Sequence, residues 1–224
     1  AKRKLDSHQF HPWEGGEGKV PFQYQTARIE LAKLAIADEK YAEAIVLLNE
    51  CLQYPHHLGE GKLYGAQEND FFYLLGLCYK AMGQEDEANK YFEQATLGPT
   101  EPAAAMYYND AKPDKIFYAG LAFRALGDEN KARAYFNRLV DYGKQHLHEK
   151  VVMDYFAVSL PDLQIWDGSL DEANRIHCLY MLALGYAGLG DKEHSDCYLA
   201  EAASMNINHQ GIQSFKTLYN VAKF

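Results

Sequence analysis

The chain has 224 residues, of which 48% are apolar and 24% charged, a balance that can bury a hydrophobic core. Asp and Glu number 31 against 22 Lys and Arg, a net charge of −9 with no basic stripe, so nucleic acid and anionic membrane surfaces are disfavoured as partners. No uncharged apolar run reaches the ~20 residues that a membrane-spanning helix needs.

In chain order, residues 1–21 read as an N-terminal segment. It opens on Ala1-Lys2-Arg3-Lys4 and continues with Asp6-Ser7-His8-Gln9 rather than an apolar signal core. The abrupt start fits a piece of a longer protein. A first helix pair is predicted near 22–55, from Leu31-Ala32 through Asp38 to Ala44, Leu48 and Cys51. Further pairs are predicted near 68–98, 112–142 and 170–205. The insert at 144–169, with Val151, Met153, Tyr155, Phe156 and Trp166, is too apolar for a free linker and is expected to pack across the helices. Pro161 should end a helical turn within it. Residues 206–224 carry Ile212, Phe215, Leu218 and Tyr219 at helical spacing and read as a capping helix.

The pairs are legible because they repeat. The stretches ending in Gly83, Gly127 and Gly190 continue with Gln84, Asp128 and Asp191 into a second amphipathic stretch. The glycine can take the left-handed conformation that closes a helix, and Asp128 and Asp191 can cap the next one. Ala32, Gly76, Gly120 and Ala183 are expected where two helices cross closely. Tyr79, Phe92, Phe123, Phe136 and Tyr186 are expected to fill the gap between pairs. This pattern resembles the tetratricopeptide repeat over about residues 22–205. The resemblance implies an all-α, right-handed α-solenoid of helix pairs with inserted loops and a C-terminal cap.

The spacing departs from that pattern. Gly83 to Gly127 is a step of 44 residues and Gly127 to Gly190 one of 63, against ~34 in an ordinary array, so loops are inserted along one edge. Two of these loops match. His11-Pro12-Trp13-Glu14-Gly15-Gly16-Glu17-Gly18-Lys19-Val20 and His56-His57-Leu58-Gly59-Glu60-Gly61-Lys62-Leu63 share a Gly-Glu-Gly-Lys core. The corresponding third segment, Gly98 to Asp114, has lost it. These loops, with Asp154-Tyr155-Phe156-Ala157-Val158-Ser159-Leu160-Pro161-Asp162-Leu163, resemble the C-terminal repeat region of a family of large bacterial proteins. In that family a conserved domain of unknown function, DUF5107, precedes the repeats and is similar to sugar-binding β-sandwich modules. The resemblance implies the preceding domain as one partner and an oligosaccharide as another.

The loop edge supplies the first set of candidate binding residues: Trp13, Glu17, Lys19, Gln23, His57, Glu60, Lys62, Gln67, Glu68, Asn69 and Asp70. It is not a phosphate loop. Trp13 and His56 stand in place of the first glycine, and Val20 and Leu63 in place of the magnesium-binding hydroxyl. On a structural reading, Glu17 and Glu60 accept from free N–H groups at helix starts, Lys19 and Lys62 pair locally, and Asn69 or Asp70 caps a helix. On a functional reading the same groups face a polar ligand or a docked domain.

The second set lines the inner face of the first helices: Lys33, Tyr73, Leu77, Lys80, Phe117, Arg124 and Tyr180. These either pack against neighbouring helices or hold a peptide in an open groove. They lack the repeated Lys/Asn pattern that clamps a peptide's terminal carboxylate. Glu14, Glu17, Glu60, Glu68, Asp154 and Asp162 are the acids available for glycoside chemistry, which needs two at ~5–10 Å. A solenoid rarely encloses so dry a site. His56-His57 and His146-x-His148 lack a supported third metal ligand. Cys51, Cys78, Cys178 and Cys197 form no Cys-x-x-Cys pair and each reads as a small buried hydrophobe in a reducing, cytoplasmic setting. The expected function is a non-catalytic interaction scaffold without cofactor or metal. The alternative is an accessory module of a carbohydrate-active enzyme.

Overall fold

The computed structural model describes residues 1–104, 112–151 and 169–222; Pro161, Trp166 and most of the insert lie outside them. Among the described residues the regular structure is helical throughout: α1 (Lys2–Ser7), α2 (Lys19–Ala37), α3 (Tyr41–Cys51), α4 (Asn69–Ala81), α5 (Glu85–Ala95), α6 (Pro113–Ala125), α7 (Glu129–His146), α8 (Leu170–Leu189), α9 (Lys192–Met205) and α10 (Gln210–Leu218). A single 3₁₀ turn, His56–Leu58, precedes α4. The chain divides into two compact units, Ala1–Gly98 with Lys216–Lys223, and Pro99–Phe215. Among the described residues no helix is long and apolar enough to cross a membrane.

The turn inside each pair is built the same way four times. The N–H of Lys40, Gln84, Asp128 and Asp191 donates to the carbonyl five residues earlier, at 2.8–2.9 Å. That bond requires the residue before it to be left-handed. Gly83, Gly127 and Gly190 supply it with φ of 75°, 85° and 84°. In the degenerate first pair the position falls on Glu39, at φ 61°. Asp128 and Asp191 then accept from the N–H of Lys131 and His194, capping α7 and α9 as their positions predict.

Within the first unit, α4 and α5 lie antiparallel. Asn69, at the start of α4, reaches the end of α5, while Gly76 in mid-helix meets Phe92. A Cβ on Gly76 would stand 2.5 Å from the buried Phe92 ring, and one on Gly120 2.5 Å from Phe136 in the α6–α7 pair. Glycine at these places lets an aromatic ring press onto backbone. Other aromatics close the pairs rather than the gaps between them: Tyr79 stacks on Tyr91 at 5.2 Å, Phe123 tilts against Tyr135, and Tyr186 stacks on Tyr198. Phe136 serves both roles, because in the second unit it also lies against Gly188 of α8.

Several boundaries differ from the sequence expectation. Residues 1–21 contain α1 and the first turn of α2, which starts at Lys19 because Pro21 is tolerated in a first turn. α7 runs on to His146, into the segment read as insert. Cys51, Cys78 and Cys178 are buried, but Cys197 is exposed on α9. Burial pushes the Cys78 thiol up to about 12 and the Cys178 thiol up to about 11.

Two substitutions test this account. Gly76→Ala gains helix propensity but overpacks Phe92, with an expected net loss of about 1–2 kcal/mol. Glu39→Gly relieves a left-handed residue and should gain about 0.5–1 kcal/mol after the glycine's unfolded-state entropy is counted. Urea titration of each variant beside wild type measures both, and the two signs should be opposite.

Candidate functional site

Both matching loops lie in the first unit, and the structure makes them unequal. In the first, a turn closes from Gly16 N–H to the Trp13 carbonyl at 3.0 Å. The Trp13 ring lies directly over Gly16, where a Cβ would sit 2.0 Å from the indole. Gly18 ends the loop at φ 75° and is the N-cap residue of α2. It has no side chain with which to cap. Its N–H instead donates to Glu60 Oε2 from the second loop, at 2.7 Å. One loop's acid therefore completes the other loop's helix start.

Lys62 pairs with the buried carboxylate of Glu68 at 2.6 Å. Asn69 and Asp70 do not cap α4; they sit within its first turn, behind an N-cap at Glu68. The Asn69 amide is committed elsewhere, donating to the Ala95 and Leu97 carbonyls at 2.8 and 2.7 Å. It closes the end of α5, whose last carbonyls lack intrahelical partners. Asp70 is buried beside it and Gln67 is half-buried. His57 turns toward the N-terminal segment, with Nε2 at 3.0 Å from the Leu5 carbonyl. Lys19 and Gln23 are exposed.

What remains open at this edge is a pocket of about 350 Å³ walled by Pro12, Trp13, Glu14, Glu17 and Glu60. Trp13 is 53% exposed, and Glu14 and Glu17 are exposed at the rim. Three carboxylates and an indole in one wall are groups that can attract a cation, by charge and by the ring's quadrupole. A second cavity, of about 410 Å³, lies in the other unit, with Tyr142, His146, Asn174, His177 and His209 in its wall. The His209 imidazole is held below its usual pKa by burial. Among the described residues no group of three His, Cys, Asp or Glu side chains is placed to hold a metal ion.

The inner-face residues do not form an open lining. Lys33, Tyr73, Phe117 and Tyr180 are buried. Lys33, only 1% exposed, is satisfied within the first unit by Glu30 at 2.9 Å and the Thr217 hydroxyl at 3.3 Å. Tyr73 packs on Phe92, and Phe117 on Phe136 and Phe215. Arg124 is drawn off by Glu129, at 2.8 and 2.7 Å, and by the Gly188 carbonyl. Leu77 is half-buried, and Lys80 alone of the set is exposed. A helix flanked by its own partner and by the next pair hides most of its faces, which a single-helix pattern does not reveal.

Sequence reasoning passed over Arg28. It is 2% exposed, donates to Asp6 and to Glu50 at 2.8 Å, and lies over the Tyr24 ring at 3.3 Å. An arginine within an apolar helix pattern was its only signal.

Removing the Glu60 carboxylate leaves the Gly18 N–H without its acceptor. Glu60→Ala should cost about 0.5–2 kcal/mol. The Gly18 amide should exchange with solvent faster by a comparable factor, read by hydrogen exchange, whereas Glu17→Ala should leave it unchanged.

Two family models for the tetratricopeptide repeat match the chain, one over residues 70–97 and the other over residues 116–142. The first span is the α4–α5 pair, and the second covers most of α6 and α7. Such repeats generally mediate protein–protein interaction. With the recurrent turn and the glycine–aromatic crossing inside each matched pair, these matches support a place for the chain among tetratricopeptide repeat proteins.

Proposed function

We propose that the chain is a non-catalytic scaffold that binds a protein or peptide, and that the Trp13 pocket receives a Lys or Arg side chain of that partner. The pocket carries this reading: about 350 Å³ bounded by an exposed indole and three carboxylates. A net charge of −9 steers basic segments toward the molecule as a whole. The wall is held in place from behind, by Gly16 under the indole and by the bond from Glu60 to Gly18. Lys33, Tyr73, Phe117 and Tyr180 support the helices rather than the ligand. The family that the loops resemble offers one source of the partner, the DUF5107 domain that precedes its repeats.

The test is a titration of ¹⁵N-labelled protein with acetyl-Gly-Arg-Gly-amide, followed at the Trp13 indole N–H. The indole signal should shift in wild type. The shift should shrink at least ~3-fold in Glu14→Gln/Glu17→Gln and weaken as salt shortens the Debye length. An oligosaccharide stacked on Trp13 would behave oppositely, with a shift indifferent to salt. A salt-independent response to sugar and none to the basic peptide would replace this reading with the carbohydrate-module one.

A further inference from the structure

The N-terminal segment is packed as a bound peptide is packed. α1 has six residues, far short of the ~12–15 that stand alone in water, so its neighbours hold it. One residue reads its main chain twice: the His57 carbonyl accepts from Phe10 N–H at 2.8 Å, and His57 Nε2 donates to the Leu5 carbonyl at 3.0 Å. Two apolar side chains, Leu5 and Phe10, plug against Val20, Tyr24 and Leu58. One carboxylate, Asp6, accepts from the buried guanidinium of Arg28. The stretch that joins this segment to α2, His11 to Gly15, is exposed throughout.

Arg28, at the centre of the receiving surface, also has partners outside the segment, although Glu50 among them is shared with Lys2 at 3.4 Å. Arg28 is held by Glu50 at 2.8 Å, by the Tyr24 carbonyl at 3.3 Å and by the Tyr24 ring. Loss of Asp6 would open one face of the guanidinium without leaving it unpaired. Gly59 lets the Phe10 carbonyl pass where a Cβ would stand 2.8 Å away. A guanidinium that accepts one carboxylate from the segment, beside two apolar contacts, is the set of features by which a peptide is recognised.

We propose that the surface made by Tyr24, Arg28, His57 and Leu58 is a second peptide-recognition site, that residues 1–10 occupy it as a built-in ligand, and that a partner segment presenting Leu-Asp and, four residues after the Asp, Phe displaces them. It rests on the scaffold reading but not on the acidic pocket. A tethered segment competes at an effective concentration in the millimolar range, so the wild-type site is closed to weak partners. Release of the segment opens it.

The test is fluorescence anisotropy with a labelled synthetic peptide of residues 1–12. It is titrated with the full wild-type chain and with Asp6→Ala/Phe10→Ala, which weakens the tethered copy and spares the site. The double variant should bind the peptide at least ~10-fold more tightly than wild type, and a peptide carrying Asp6→Ala should lose at least ~10-fold. Equal binding to both proteins, or equal binding of both peptides, overturns the proposal. Should the double variant lose its helical circular dichroism, a protease site inserted after Gly15 of the otherwise native chain takes its place. After cutting, a segment that stays bound and exchanges with excess free peptide supports the proposal; one that departs and does not rebind overturns it. With Glu14→Gln/Glu17→Gln added to both proteins, so that Lys2, Arg3 and Lys4 of the peptide find no acidic pocket, the two ~10-fold differences should persist, which separates this site from that pocket.

Discussion

Two helices joined by a turn of two or three residues have nowhere to lie except against each other. The structure depends on that constraint, imposed four times by one backbone hydrogen bond between a residue and the carbonyl five before it. Once the turn is closed, the mid-points of the two helices are forced close. Gly76 and Gly120 are the residues small enough to receive a phenylalanine ring there. Crossing, aromatic stacking and capping by Asp128 and Asp191 all follow from that geometry. Glu39 shows the strength of the constraint, since the turn forms even where the left-handed position lacks glycine.

The loops add a second kind of order. A helix start has free N–H groups, and a glycine at the N-cap cannot accept for them. The chain solves this for α2 with an acid from 42 residues away, Glu60, so that one inter-repeat loop is organised by the next. Lys62 with Glu68, and Asn69 with the end of α5, spend further polar groups on structure. The carboxylates left over, Glu14 and Glu17, are the ones facing solvent beside Trp13. The candidate site is thus what remains of a polar loop edge after the helix ends have been satisfied.

The N-terminal segment follows the same logic at longer reach. A buried arginine demands a carboxylate, and Arg28 has two, one on α3 and one on α1. The pair with Glu50 ties α2 to α3, and the pair with Asp6 ties α1 to the same guanidinium. The packing of α1 and of α3 against α2 therefore shares one side chain.

Helix type, the three glycine turns and the two aspartate caps were legible in the sequence, because each depends on residues within one turn of chain. The matching loops were legible as a pair for the same reason. Their inequality was not: Glu17 and Glu60 occupy the same motif position and both line the pocket, and only the fold shows that Glu60 accepts from the Gly18 N–H while Glu17 is exposed. Nor could a single-helix pattern separate an open groove from an interior, because burial of Lys33, Tyr73, Phe117 and Tyr180 is decided by which helices lie on either side. Local backbone chemistry is written in neighbouring residues. Accessibility and charge pairing between distant residues are set by packing, and so the exposure of the candidate residues, unlike the repeat, was decided by the tertiary structure.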